Sequence, residues 1–232
     1  MRAVMKNLIG VAIIDMDGTI LSKRSIDVFC SSFGFINELE EIKKWALKVP
    51  AYKVTERIAK LLSGKRREEL EEVFSLIPLE PNAEQFINYL KNRGFIVAIV
   101  TDSFQFLGEN LAKRVGVNKV YGNILEFKNG LATGRVLTKR RCMKIQGCRE
   151  FAVCKLWYLN KLKRVVDGFS ICIGDSDSDF CAFTGADIAI AYKPKSCALK
   201  EKATKIASSF QEAIKFLEED LIFNRSFSKE EE

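Results

Sequence analysis

The sequence predicts an α/β fold: a Rossmann-like parallel-sheet core with a small helical segment inserted after the first strand and a β-hairpin insertion further on. Three observations carry this prediction. From Phe95 onward, short apolar runs of strand length alternate with segments of helical period, the rhythm of strand–helix–strand units. Between about Ser22 and Pro78, by contrast, apolar residues recur at helical spacing. Asn129-Gly130 separates two strand-like runs, a strong hairpin signal because both residues tolerate the positive φ of a tight turn.

The elements follow in order. Val11-Ala12-Ile13-Ile14 reads as a buried strand that runs directly into Asp15-Met16-Asp17-Gly18-Thr19-Ile20. Helices are expected over Ser25 to Phe33, Ile36 to Leu47, Ala51 to Leu62 and Arg66 to Leu76, punctuated by Gly34, Pro50 and Gly64. Pro78 and Pro81 bracket a return to the core, and Asn82 is placed to cap a helix running to Asn92. Phe95 to Val100 is a strand and Phe106 to Val115 a helix. Val120 to Leu125 and Leu131 to Leu137 form the hairpin. Val153 to Leu162 is a helix, Phe169 to Ile173 a strand, Phe180 to Thr184 a short helix and Ile188 to Ala191 a strand. Helices at about Lys195 to Lys200 and Ser209 to Glu219 follow, then a polar tail, Ser226 to Glu232, expected to fray. Residues 1–21 and 79–232 therefore make the core, and residues 22–78 a helical domain inserted into it.

Composition narrows the function. At 232 residues the chain can bury one substantial core with a smaller attached unit. No run approaches the length of an uncharged membrane span, and no long apolar signal region opens the chain, so a cytoplasmic protein without a membrane partner is expected. The net charge of +7 is dispersed. Its densest clusters, at 139–144 and 65–67, lack interleaved aromatics, which disfavours a nucleic-acid platform. The seven cysteines form no CxxC pair. Cys142, Cys148 and Cys154 are spaced by six, the wrong interval for a common zinc knuckle, and the chain has no histidine. Nothing in the pattern separates a monomer from a homodimer.

Asp15 and Asp17 are the most informative residues. An unpaired buried carboxylate is costly, so two at the carboxyl edge of an α/β sheet call for a cation, a proton or both. Two further strands end in suitable groups, Thr101-Asp102-Ser103 and Gly174-Asp175-Ser176-Asp177-Ser178-Asp179, and Lys155 lies near the start of the helix between them. Together they fit magnesium-dependent phosphoryl transfer. Asp15 is the expected nucleophile, forming an aspartyl-phosphate, and Asp17 the acid that protonates the leaving oxygen and then activates water. Mg2+ is expected on the Asp15 carboxylate, the Asp17 backbone carbonyl and Asp175, with Asp179 a direct or water-mediated ligand or an orienting partner of Lys155. Thr101 would donate to phosphate, and Lys155 would neutralise it and restrain Asp15. Each residue alone has a plainer reading: a turn or cap for the aspartates and Thr101, a solvated lysine for Lys155. Their ordered occurrence at successive strand ends favours the site.

These residues resemble the haloacid dehalogenase superfamily of phosphohydrolases over nearly the whole chain. Asp15-Met16-Asp17-Gly18-Thr19 matches its DxDGT first motif, and Gly174 to Asp179 its GDxxxD fourth motif. Thr101 is similar to the second-motif Ser/Thr. Lys155, ahead of the alternatives Lys144 and Lys161, is similar to the third-motif lysine at the start of the helix before the fourth-motif strand. The helical insert resembles the cap of the phosphoserine phosphatase branch, which implies a cap that closes over the substrate and contacts the leaving group. Arg57 is similar to a cap arginine that recognises the phosphoserine carboxylate. Where the branch carries a glutamate for the substrate amine, this chain has Arg24, which would repel an ammonium. Asp102-Ser103 stands where two glycines are common, adding bulk and negative charge to the floor of the site.

The resemblance thus implies a phosphomonoesterase acting on a small phosphorylated metabolite, with phosphoserine one candidate. Arg24 and Arg57, if both face the cleft, favour a second anionic group on the substrate. In the plainer reading, Arg24 meets solvent and Arg57 pairs with Glu56, Glu68 or a neighbouring helix. A phosphotransferase or mutase using the same nucleophile, and a noncatalytic phosphate-binding protein, are the competing readings.

Overall fold

The apolar run before Asp15 forms a strand buried along its whole length, β1 (Gly10–Ile14). The computed structural model describes residues 8–138, 140–166 and 168–227. After β1 come four helices, α1 (Ser25–Phe33), α2 (Ile36–Ala46), α3 (Ala51–Leu61) and α4 (Arg67–Ser75), each close to its expected span. The core resumes with α5 (Ala83–Asn92), β2 (Phe95–Phe104), α6 (Gln105–Val115) and β3 (Lys119–Asn123). Strands β4 (Leu125–Lys128) and β5 (Leu131–Val136) form the hairpin, followed by α7 (Lys155–Lys163), β6 (Phe169–Gly174) and α8 (Phe180–Phe183). The chain then runs through β7 (Ile188–Tyr192), α9 (Cys197–Lys202), β8 (Lys205–Ala207) and α10 (Phe210–Phe227). Most of the tail expected to fray lies outside the described residues.

Six strands form one parallel sheet in the order β3-β2-β1-β6-β7-β8. The winding reverses beside β1, which lies between β2 and β6, and a crevice at the carboxyl ends is expected at that point. Strand alternation sends Val11, Ile13, Val100, Cys172 and Ala189 to one face, under Leu159 and Leu162 of α7. Ala12, Ile14, Ile99, Ile171 and Ile190 go to the other, against Phe86 of α5, Leu107 of α6 and Phe210 of α10. Burial on both faces explains why the strands read as continuous apolar runs. The second cluster continues into the helical insert through Phe29, Leu62, Leu70 and Phe74, so insert and core share apolar packing.

Three local expectations need correction, and one strand has no counterpart among them. β2 runs on to Phe104, four residues past Val100, with a register shift that sets only Tyr121 and Asn123 of β3 opposite its Val100 and Phe104. The hairpin partner of β5 is β4; most of Val120 to Leu125 is instead β3, an edge of the main sheet. The turn itself has the expected residues, with φ of 51° at Asn129 and 78° at Gly130. Asn82 precedes α5 but has φ 65° and makes no capping hydrogen bond, because an N-cap side chain needs extended backbone. Finally, β8 is a three-residue edge strand too short to show a period.

The hairpin is bonded to the insert as well as to itself. Gly64 N–H donates to the Ala132 carbonyl at 2.8 Å, Ala132 N–H to Lys65 at 2.9 Å, and Arg67 N–H to Gly130 at 2.9 Å. Between β5 and α7 the chain folds back over the α2–α3 turn. Pro50 offers no side-chain cap to α3, and the carbonyls of Arg149 and Glu150 accept from Ala51 and Tyr52 N–H instead, at 2.8 and 3.1 Å. Arg140 stacks over Tyr52, with its guanidinium 4.0 Å from the ring centre, and Arg141 lies 4.3 Å from the centre of Trp157. Two cations of the basic cluster are therefore held by aromatic faces; Lys139 lies outside the described residues. Among the described residues, no helix is long and apolar enough to cross a membrane.

Asp187 joins the start of β6 to the turn before β7. Its carboxylate accepts from Ser170 N–H at 2.8 Å and Ser170 Oγ at 2.5 Å. Burial alone would raise its pKa, but these bonds and Lys163 outweigh it and hold the group below its ordinary range. Its folded pKa is thus below the unfolded value of about 3.9. The stability it contributes is present above that value and lost as pH falls through the folded pKa. Asp187→Ala is expected to cost about 1 kcal/mol in urea unfolding at pH 7, and less at pH 3. An equal loss at both pH values would refute the carboxylate's role.

Candidate active site

Register brings the polar strand ends together. Ile14 pairs with both Ile99 and Ile173, so β1 and β6 end nearly in step, and Thr101, still within β2, lies beside their ends. Asp15 follows β1 with its N–H on the Ile173 carbonyl at 2.9 Å. The Asp15, Asp175 and Asp179 carboxylates each offer an oxygen within 4.8 Å of the others. Strand alternation puts Asp15 on the α7 side of the sheet, and Lys155 is the first residue of α7. Its ammonium donates to Asp15 Oδ1 at 2.5 Å and to Asp179 Oδ1 at 2.6 Å, with only 1% of its side chain exposed. Gly174 makes room for this pairing: a Cβ there would run into the Asp179 carboxylate.

The electrostatics favour a cation. Burial would drive the Lys155 pKa down, but the ion pairs with Asp15 and Asp179 outweigh it and hold the ammonium well above its ordinary range. Burial pushes the Asp179 carboxyl up to about 7, with the Lys155 ammonium opposing. Asp175 is also raised, first by burial and then by the negative charge of Asp15, with Lys195 opposing. Asp175 is 1% exposed; its Oδ2 meets the Lys195 ammonium, and its Oδ1 has no hydrogen-bond partner. Three buried carboxylates, with Oδ1 of Asp175 left without a partner, form a hard oxygen donor set that fits a divalent cation such as Mg2+.

Asp17 has a different role. Its carboxylate accepts from Ser25 N–H at 2.9 Å and Ser25 Oγ at 2.8 Å, at the first turn of α1. Burial pushes its pKa up to about 6 against those bonds. Its side chain therefore stands apart from the three clustered carboxylates. Thr101 is 1% exposed and, with Asp15, Asp17 and Asp175, lines a cavity of about 370 Å³.

A sequence model described as haloacid dehalogenase-like hydrolase matches residues 12–184, a span that runs from β1 through the Asp175–Asp179 loop to α8. The chain belongs to this family. As a haloacid dehalogenase-like hydrolase it is similar to the phosphoserine phosphatase of Archaeoglobus fulgidus, 30% identical over 53% of this chain and 37% of that protein. It is also similar to the phosphoserine phosphatase of Methanocaldococcus jannaschii, 28% identical over 82% of this chain and 87% of that one. A solved structure described as a phospho-aspartyl intermediate analogue of phosphoserine phosphatase superposes with TM-score 0.76 at 25% identity, covering 91% of this chain and 99% of that one.

The remaining expected residues of this hydrolase divide. Arg24, at the N-cap of α1, lines the cavity and is exposed. Asp102 lines it too; burial pushes its pKa up to about 7, with Lys155 and then Asn123 opposing, and its backbone carbonyl accepts from Asn123 Nδ2 at 2.5 Å. Arg57 does not line it. Its guanidinium lies 5.2 Å from the Trp45 ring centre and 3.8 Å from Glu41 Oε2, both on α2. Arg57 thus lies against the neighbouring helix α2, beside Glu41 rather than Glu56 or Glu68. Three other residues reach the cavity without an obvious sequence signal. Ser25 holds Asp17 and meets Ser103 Oγ at 3.0 Å. Lys195, on the loop after β7, pairs with Asp175. Arg149 bridges insert and core, donating to the Ala46 carbonyl at 2.8 Å and lying 3.5 Å from Asp177.

Proposed function

We propose that this chain is a magnesium-dependent phosphomonoesterase that hydrolyses a small phosphorylated metabolite through a phosphorylated Asp15. The observation that carries the reading is the buried set of Asp15, Asp175 and Asp179 around Lys155 at the switch point of the sheet. Asp15 attacks phosphorus, and the Lys155 ammonium fixes its carboxylate and offsets charge on the phosphoryl oxygens. Thr101 donates its hydroxyl to phosphate. Asp17, oriented by Ser25, protonates the leaving oxygen and then takes a proton from the water that attacks the acyl phosphate. Magnesium, when held by Asp15, Asp175, Asp179 and the Asp17 carbonyl, supplies positive charge to the phosphoryl group. Phosphoserine is the compound named for the relatives, and Arg24 and Asp102 are the polar side chains beside the catalytic set that bear on whether this chain shares it. The setting of this reading is the cytoplasm, with a metabolite rather than nucleic acid as the partner.

Phosphate release with and without Mg2+ tests the proposal, on phosphoserine, acidic non-amino phosphates and p-nitrophenyl phosphate. Chelation should abolish release and added Mg2+ restore it. Silence across the panel, or transfer to an added alcohol faster than to water, would overturn the hydrolase reading.

Asp17 provides a sharper check. Asp17→Asn is expected to lower kcat by about 10²–10⁴-fold on alkyl phosphates, the usual worth of general acid–base catalysis. The loss should be much smaller for phosphoryl transfer out of p-nitrophenyl phosphate, whose leaving group needs little protonation. Equal burst-phase losses on both substrates would remove Asp17 from the acid role.

A further inference from the structure

The cavity changes character away from the carboxylates. Its volume of about 370 Å³ falls in the usual range for small-molecule pockets, roughly 300–1,000 Å³. Beyond the catalytic end its wall is apolar, built from Phe29 of α1, Leu39 and Ile42 of α2, Val54 and Ile58 of α3, and Phe104 of β2. The pairs 39/42 and 54/58 have the spacing that puts two side chains on one helix face. Each helix therefore turns an apolar stripe to the cavity as well as to its neighbours.

Charge is distributed unevenly around this wall. Every carboxylate lining the cavity comes from the core: Asp15, Asp17, Asp102, Asp175 and Asp177. The helical insert contributes none. Its Lys43 already pairs with Asp27 at 3.2 Å and Glu40 at 2.9 Å. Arg149 is taken by Asp177 and the Ala46 carbonyl, and Lys195 by Asp175; Arg24, exposed at the N-cap of α1, is the remaining cation on the lining and repels an ammonium as well. Of the insert's hydroxyls at the cavity, Ser25 is committed to Asp17, which leaves Thr55. An ammonium group carried to this wall would give up its hydration without a carboxylate to replace it.

We infer, on the basis of the phosphomonoesterase reading, that the cavity selects phosphomonoesters of apolar alcohols, alkyl or aryl groups of several carbons, over those that carry an ammonium group. The phosphate end supplies the chemistry, and the stripes of α1, α2 and α3 supply the preference. Asp102 adjoins Thr101 at the phosphate end and is the group that would have to serve an amine if the inference is wrong.

The test is kcat/KM with Mg2+ for methyl, propyl and hexyl phosphate against phosphoserine and phosphoethanolamine, with acetyl phosphate reporting the chemistry alone. Along the alkyl series kcat/KM is expected to rise roughly fourfold per methylene until the wall is filled. Hexyl phosphate should exceed phosphoethanolamine by about 100-fold. Val54→Thr, nearly isosteric, should lower the hexyl-to-methyl ratio by at least about threefold. A flat alkyl series, or preference for either amino phosphate, overturns the inference while Asp15-dependent hydrolysis of acetyl phosphate keeps the phosphatase reading. Should acetyl phosphate not be hydrolysed, that reading fails by itself. Calorimetry with hexylphosphonate and aminoethylphosphonate then decides the wall without turnover, and equal affinities would overturn the inference.

Discussion

Replacing Asp15 by asparagine is expected to lower kcat by on the order of 10⁴-fold or more, because an amide nitrogen or oxygen at that place cannot form the acyl phosphate. The fold should survive. Asparagine nearly matches aspartate in shape, the backbone bond from residue 15 to Ile173 is unaffected, and Lys155 keeps its 2.6 Å bond to Asp179. Phosphate release measures the loss, and a thermal melt shows that the variant is folded. Acid quenching during turnover should trap phosphate covalently on the native chain and none on the variant. Turnover within tenfold of native, or a phosphorylated variant, would move the nucleophile elsewhere. Asp175 and Asp179 are then the next groups to test, since they share the cluster.

Much of this site was legible because its residues end strands. A buried run cannot finish in Asp15-Met16-Asp17 without a reason, and the parallel register then dictates where Thr101 and Asp175 fall. Periodicity could not place groups whose partners lie across the fold. Whether Arg57 faced the cleft or α2 depended on Trp45 and Glu41, an inter-helix contact that no spacing within α3 reveals. Lys195 and Arg149 sit on loops, and there a lysine or arginine looks like any solvated cation. Ser25 was visible only as the first residue of a helix, although its hydroxyl and N–H orient Asp17.

The fold shows the same division. The helices of the insert were found nearly to the residue, since amphipathic spacing marks them. Strand ends were less clear. Thr101-Asp102-Ser103 reads as a loop by composition but stays within β2, where Asn123 of β3 holds the Asp102 carbonyl. Val120 to Leu125 reads as one strand because alternation reports extended backbone without reporting the sheet to which it belongs. The chain changes sheets near Ile124, whose carbonyl accepts from Leu137 N–H at 2.8 Å.

Lys155→Met should show how far catalysis and stability share one residue. Methionine fills a similar volume but leaves Asp15 and Asp179 buried without their ammonium, and removing one partner of a buried ion pair costs about 3–5 kcal/mol. In the native chain Lys155 has its pKa raised above an unfolded value of about 10.4. Its own titration therefore takes nothing from stability below that pH. The variant should behave differently. Burial already presses the Asp179 carboxyl upward, and without Lys155 its folded pKa lies further above the unfolded value of about 3.9. A group shifted in that direction supports the fold below about pH 3.9 and loses that support as pH rises toward its folded pKa. The deficit against native protein in urea unfolding, with chelator present, should thus be smaller at pH 5 than at pH 8. A deficit under about 1 kcal/mol at pH 8, or one independent of pH, would mean that the carboxylates are not charged around this lysine. The electrostatic basis for a cation at Asp15, Asp175 and Asp179 would then fail as well.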